Sequence, residues 1–349
     1  MKKTLLLSIL WLVSFAMTAW PQNLMLGQEE PENKIEVVGY FCKNDTMTYR
    51  QTHGKYIIQE NDTTVSETVS EQYVEEFMIV VTDSTSNGYK MKSIPLSFTY
   101  HDADMSAGLK ENAMGQLMQS VVCEFTTDEY GSIKSITNWR EISDQLKKGV
   151  KSTCDSLYST IPGLDSIMPR ESLETWLLFN SSAEREEDIC QLYEVLENLF
   201  GLHGSSFEIC DEEEDTKEQG SSRHTLIQIG YIPIESEHYD HDGDYELLTQ
   251  STATTSVEDF KASLGALSTI VSEYLAYESN VGLEAYFDQM VDSMKTANPN
   301  GAVSMLTEHH TFFVNGWPKE YYHEKAADLG FVQSIEVKYI RCISGYMRF

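Results

Sequence analysis

The densest group of cation-binding side chains is the run Glu237-His238-Tyr239-Asp240-His241-Asp242-Gly243-Asp244-Tyr245-Glu246. Asp240, Asp242 and Asp244 alternate through a turn-forming stretch, and oxygens so spaced suit Ca2+. The helix-loop-helix calcium loop needs Gly at its sixth place and Glu at its twelfth. Here Gly243 comes fourth from Asp240. A solvated acidic hairpin tip accounts for the same residues, so Ca2+ is the one cofactor they suggest and the three Asp its ligands.

Other constellations are thinner. His309 and His310 are adjacent, so on a strand they point to opposite faces and do not share one ion. Glu308 falls across from His323 if a two-residue turn joins their strands, which reads as a surface pair. The six cysteines, Cys42, Cys123, Cys154, Cys190, Cys210 and Cys342, include no Cys-x-x-Cys. Some of them read as buried thiols. If one pair forms, it is Cys190 with Cys210, a helix end and the strand returning from it. There is no Gly-x-Ser-x-Gly elbow, His-Glu-x-x-His, phosphate loop or dinucleotide fingerprint, so the reading is non-enzymatic.

The N-terminus carries a different kind of signal. Lys2 and Lys3 precede an uncharged apolar run, Thr4 to Phe15, and Ala16 to Ala19 follow with small residues. These are the parts of a secretory signal peptide, which places residues 1–19 in the leader and the mature chain outside the cytoplasm. The periplasm, the cell surface and the extracellular space all fit. Residues 20–34 read as a flexible leader segment, and no later stretch is long and apolar enough for a transmembrane segment. A net charge of −30 excludes nucleic acid as a partner, because the field repels phosphate. A hydrophobic content of 41% excludes wholesale disorder.

A short pattern recurs six times: Asp, then Ser or Thr, then Met, Leu, Ile or Thr. It resembles the acceptor motif of a periplasmic O-glycosylation system of some Gram-negative bacteria. That resemblance implies Thr46, Thr63, Ser84, Ser166 and Ser293 as acceptors, with Ser156 disfavoured by its helical setting. The same dipeptides are ordinary turn and cap chemistry.

The elements that position these residues are mostly strands. Short β-forming runs cover Ile35 to Cys42, Met47 to Gln51 and Lys55 to Gln59, punctuated at His53-Gly54 and Asn61-Asp62. Longer runs flank Asn87-Gly88, Asp128 to Gly131, Asp242-Gly243 and Asn315-Gly316, all hairpin signals. Helices interrupt them. Asn138 with Glu141 reads as a capping box, and Trp139, Ile142, Leu146, Val150, Cys154, Leu157 and Ile161 form one stripe ended by Pro162-Gly163. A second stripe is Ile189, Leu192, Leu196 and Leu199, closed by Gly201. A third begins near Ser256 with Phe260 and Leu264, and Gly282 breaks it from Leu283 to Met294.

This order predicts an α+β fold: a curved, half-barrel-like antiparallel sheet built from hairpins, with amphipathic helices on one face. Residues 35–349 read as a single globular domain, divisible into halves 35–201 and 202–349 at the acidic run Asp211 to Asp215.

The hairpin Thr126-Thr127-Asp128-Glu129-Tyr130-Gly131-Ser132-Ile133 leading into Trp139 resembles, in outline, the incomplete β-barrel of lipoprotein-carrier proteins. It also resembles secreted envelope families of similar outline. The resemblance implies an apolar groove between sheet and helices. Val121, Cys123 and Phe125 share one strand face beneath Trp139, Ile142 and Leu146, and these six are the expected groove. The function expected is an exported envelope protein binding a lipid-like or peptide ligand there. The alternative is a structural or interaction component of an envelope assembly, with an envelope partner in place of the ligand.

Overall fold

The computed structural model describes residues 34–61, 64–101, 109–181, 184–218, 221–232, 243–265 and 280–346. The expected signal peptide, most of the leader, Thr63, Asp240 and Asp242 lie outside these residues.

The fold is α+β, dominated by one antiparallel sheet of eleven strands. Its N-terminal strands are β2 (Thr46–Asn61), β3 (Thr64–Thr85), β4 (Gly88–His101), β5 (Cys123–Thr127) and β6 (Ile133–Ile136). Its C-terminal strands are β8 (Cys210–Glu218), β9 (Ser221–Tyr231), β10 (Tyr245–Thr255), β11 (Ala302–Phe312), β12 (Pro318–Asp328) and β13 (Val332–Tyr346). The order across the sheet is β6-β5-β4-β3-β2-β13-β12-β11-β10-β9-β8, open at both ends. Two meanders therefore meet where β2 pairs with β13, and the sheet runs unbroken across the suggested 201/202 division. A small ribbon of β1 (Lys34–Glu36) and β7 (Ser206–Glu208) stands apart.

The helices are α1 (Leu109–Met118), α2 (Trp139–Thr160), α3 (Leu164–Ile167), α4 (Arg170–Ser181), α5 (Glu186–Leu192), α6 (Glu194–Phe200), α7 (residues 257–265) and α8 (Asn280–Ala297). No helix among the described residues is long and apolar enough to cross a membrane.

Alternation along the strands fixes which residues share a face. On β2, Met47, Tyr49 and Ile57 point the same way; on β13, Val332 and Ile340 do. We call this the inner face. At one end it packs on α1 to α6, burying Met47, Tyr49, Phe77, Ile79, Val81, Met91, Phe125 and Ile340 with the stripes of the helices. At the other end Ile57, Ala302, Ala327 and Val332 pack on α7 and α8 through Phe260, Leu264, Met290 and Met294. A third cluster joins Ile35 and Val37 to Ile229, Leu247 and Phe312.

Several expectations are corrected. β2 does not break at His53-Gly54: Gly54 stays in the strand, where an added Cβ would meet the Tyr56 hydroxyl at 2.6 Å. The acidic run Asp211 to Asp215 is neither linker nor loop but lies in the edge strand β8, paired with β9. At the Asn87-Gly88 turn, Gly88 pairs with Thr85 and alone takes positive φ, 129°. Asn138 starts α2 without capping it through its side chain. Its Oδ1 instead accepts from Glu124 N–H at 2.8 Å, and its Nδ2 donates to Val122 O at 2.9 Å, fastening the helix to β5. α5 and α6 are two helices, broken at Tyr193. α8 contains Gly282 instead of stopping at it. α1 and α4 were not read from sequence.

Candidate functional site

Between its two helix-packed ends, the inner face carries ionisable and polar side chains. Strand register places them in three rows. The first is Glu75–Gln51–Ile340–Tyr321–His310, running β3 to β2 to β13 to β12 to β11. The second is Tyr73–His53–Lys338–His323–Glu308. The third is Lys55–Glu336–Lys325. Long strands are what bring these rows together: each contributes residues at i and i+2, such as Gln51 and His53, or His323 and Lys325.

The groups interlock. His53 Nε2 and Glu336 Oε1 lie 2.7 Å apart, and the two residues are 6% and 7% exposed. His310 Nε2 meets Glu308 Oε1 at 3.2 Å, and the Tyr321 hydroxyl donates to the same oxygen at 3.4 Å. Lys338 Nζ bridges to Glu194 of α6 at 2.9 Å. Gln51 Nε2 donates to the Tyr73 hydroxyl at 2.9 Å. Tyr73 in turn packs between the His53 ring, 4.9 Å away, and the Phe98 ring, stacked at 5.7 Å.

Burial and neighbouring charge set the protonation states. For Glu336, burial works upward, but the His53 hydrogen bond and the charges of His53, Lys55 and Lys338 outweigh it and hold the carboxyl below its usual range. Glu308 is likewise held low against burial, by His310, His323 and Tyr321. Burial depresses His323 and Lys325. Glu75 is the exception: burial alone pushes it up, to about 7.

Among the described residues, four buried polar atoms in or beside these rows have no partner: Gln51 Oε1, His53 Nδ1, His323 Nδ1 and the Tyr193 hydroxyl. Tyr193, at the break between α5 and α6, lies within electrostatic reach of Glu75.

The residues singled out from sequence fall elsewhere. Val121, Cys123, Phe125, Ile142 and Leu146 are buried together in the largest apolar cluster, with Trp139 packed against it. Asp244 accepts from Val314 N–H at 3.2 Å and bridges to Lys319 at 2.9 Å, so it ties β10 to the β11–β12 turn. Among the described residues no group of three or more His, Cys, Asp and Glu is set to hold a metal.

All six cysteines are free thiols, and the expected Cys190–Cys210 bridge is not formed. Cys190 of α5 lies in the electrostatic neighbourhood of Cys123 on β5, whereas Cys210 opens β8 at the opposite edge of the sheet and packs with the third cluster. Among the expected acceptors, Ser84 is exposed and donates to Phe41 O at 2.9 Å. Thr46 begins β2, Ser166 is exposed on the one-turn α3, and Ser293 is half-buried on α8. Glu308 does face His323, but as a half-buried pair on the helix-packed face rather than at the surface.

No family model matches the chain, and no curated protein matches it. Three solved structures show weak similarity. A structure on lipid-protein interactions in lipovitellin has 9% identity and a TM-score of 0.34, over 88% of this chain and 26% of the other. The chain thus spans about a quarter of lipovitellin. Ail, the attachment invasion locus protein of Yersinia pestis, has 4% identity and a TM-score of 0.14, covering 86% of this chain and 99% of Ail. An outer membrane lipoprotein-sorting protein domain from Vibrio parahaemolyticus has 8% identity and a TM-score of 0.14, over 86% and 85%. At these scores none of the three defines the fold or the ligand of this chain.

Proposed function

We propose that this chain is a non-enzymatic, exported envelope protein that binds an amphipathic ligand on the inner face of its sheet. The ligand's polar end sits among the rows of Gln51, His53, His323 and Glu75, and its apolar part lies along the flanking apolar surface. The observation that carries the reading is the set of buried atoms without protein partners between two apolar clusters. An unsatisfied buried polar atom destabilises a fold by about 1–3 kcal/mol, so four together favour a bound group that supplies the missing hydrogen bonds. The cluster of Val121, Cys123, Phe125, Ile142 and Leu146, packed shut beneath α2, backs the apolar side of this site. Export rests on residues 1–19 and envelope O-glycosylation on Ser84, Ser166 and the other Asp-Ser/Thr sites.

The test is mass spectrometry of the protein purified from its own host, under native conditions and again after solvent extraction. A co-purifying amphiphile supports the reading. So does uptake of N-phenyl-1-naphthylamine by extracted protein, reversed by added amphiphile. An extracted protein that takes up no apolar probe rules the reading out.

A second reading, an interaction component of an envelope assembly, is favoured by one surface feature. Leu178 and Phe179 of α4 point into solvent, Phe179 being 79% exposed, with Ile167 also exposed on α3. Loss of co-purifying proteins on Phe179→Ser, with probe uptake unchanged, would favour it.

A further inference from the structure

Resting on the binding reading above, we infer that the polar end of the ligand is a primary ammonium group, held by Glu75, Gln51 and Tyr193 beside His53. The argument begins with what the unpartnered atoms require. Gln51 Oε1 only accepts hydrogen bonds. The Glu336 carboxylate also only accepts, so His53 Nε2 must donate to it. The other ring nitrogen, His53 Nδ1, is left without a partner among the described residues. The Tyr193 hydroxyl both accepts and donates. Gln51 and His53 are two apart on β2 and share a face, and Glu75 stands directly across from Gln51 in the register. A group that satisfies this set must bring hydrogen-bond donors.

Charge selects among such groups. Among the described residues no cation offsets Glu75; burial alone displaces its titration upward. The nearby cation Lys338 is engaged by Glu194, and Lys55 and Lys325 flank Glu336. An anionic headgroup would enter beside Glu75, Glu308 and Glu336, and the net charge of −30 opposes its approach. A quaternary ammonium has the right sign but no N–H, and would leave Gln51 Oε1 unpaired.

The surroundings are those of a cation site. Phe98 is the cross-strand partner of Glu75 on the side away from Gln51 and stacks with Tyr73. Phe77, two residues along β3, stacks on Tyr49 at 5.6 Å. Ring faces attract ammonium groups. Phe77 and Tyr49 belong to the first apolar cluster, so an aliphatic chain attached to the amine continues onto apolar surface.

The experiment measures displacement of N-phenyl-1-naphthylamine from solvent-extracted, full-length mature protein. The competitors are dodecylamine, dodecanol, dodecanoate and dodecyltrimethylammonium, with spermidine and lysophosphatidylethanolamine separating a free amine from a lipid headgroup. Dodecylamine is expected to bind about 10–100-fold more tightly than dodecanol, the range of one charge-assisted hydrogen bond. Glu75→Gln should abolish that preference. Gln51→Leu should reduce it, and circular dichroism confirms that each variant is folded. Equal binding of dodecanol or dodecyltrimethylammonium, or a preference that survives Glu75→Gln, overturns the amine assignment while leaving a binding protein. If no dodecyl compound binds, the binding reading itself fails. Retention of spermidine alone assigns a free polyamine, and retention of lysophosphatidylethanolamine a lipid amine.

Discussion

His53 and Glu336 are 283 residues apart in sequence and 2.7 Å apart in space, on the two strands where the halves of the sheet meet. Both are buried. Removing one partner of such a pair strands the other. His53→Ala and Glu336→Ala should each lose about 3–5 kcal/mol in urea denaturation, whereas His53→Leu combined with Glu336→Leu should lose less than either single change. Because the folded state holds Glu336 below its ordinary value of 4.5, its contribution is complete above pH 4.5 and is lost as pH falls through the lower folded value.

Glu75 has the opposite sign. Its folded value, about 7, lies above the ordinary 4.5, so the folded state binds the extra proton between those limits. Its contribution to stability should be complete below pH 4.5 and be lost as pH rises through about 7. Glu75→Gln should flatten that decline and raise stability at pH 8 by up to about 3 kcal/mol in urea titrations, provided no ligand is bound.

Leu146 is fully buried in the cluster that joins α2 to the sheet. Leu146→Ala should destabilise by about 2–5 kcal/mol on chemical denaturation. If the wall of α2 touches ligand, the same change should also weaken probe uptake. A stability loss with uptake intact confines the ligand to the polar rows.

Gly316 sits at φ 77° in the turn between β11 and β12, and a Cβ there would lie 2.0 Å from Val38 O. His203 holds the same turn through Nε2 and Gly316 O at 2.8 Å. Gly316→Ala should therefore lower the melting temperature clearly, whereas Gly163→Ala, also at positive φ but with open space around it, should lower it less.

The periodic parts of this fold were legible in the sequence. The stripe from Ile142 to Leu157 lies buried as its spacing requires, and Val121, Cys123 and Phe125 share the face that alternation gives them. The central rows were not legible. Gln51, His53 and Glu75 point inward, where a strand pattern leads one to expect apolar residues, so polarity at Gln51 and His53 read as the end of a strand. The same logic hid β8: Asp211, Glu213 and Asp215 look like linker until β9 is seen to pair with them. α4 lacked a recognised cap, although Leu173, Trp176 and Leu177 give it a buried side. The expected disulfide failed because sequence nearness did not reveal that α5 and β8 belong to opposite ends of the sheet.

The junction of β2 with β13 also fixes an order of events. Its register runs from Thr46 against Tyr346 to Gln59 against Val332, so the sheet's central seam is sewn from the two ends of the described chain. Each meander can form by local pairing, but the seam must wait for β13 to emerge and then joins residues far apart in the sequence. Until then β2 and β12 are bare edges, long and half apolar, of the kind that recruits strands from other chains. Synthesis arrested before Val332, or cleavage ahead of β13, should therefore yield two unmatched half-sheets and aggregation rather than a smaller soluble protein.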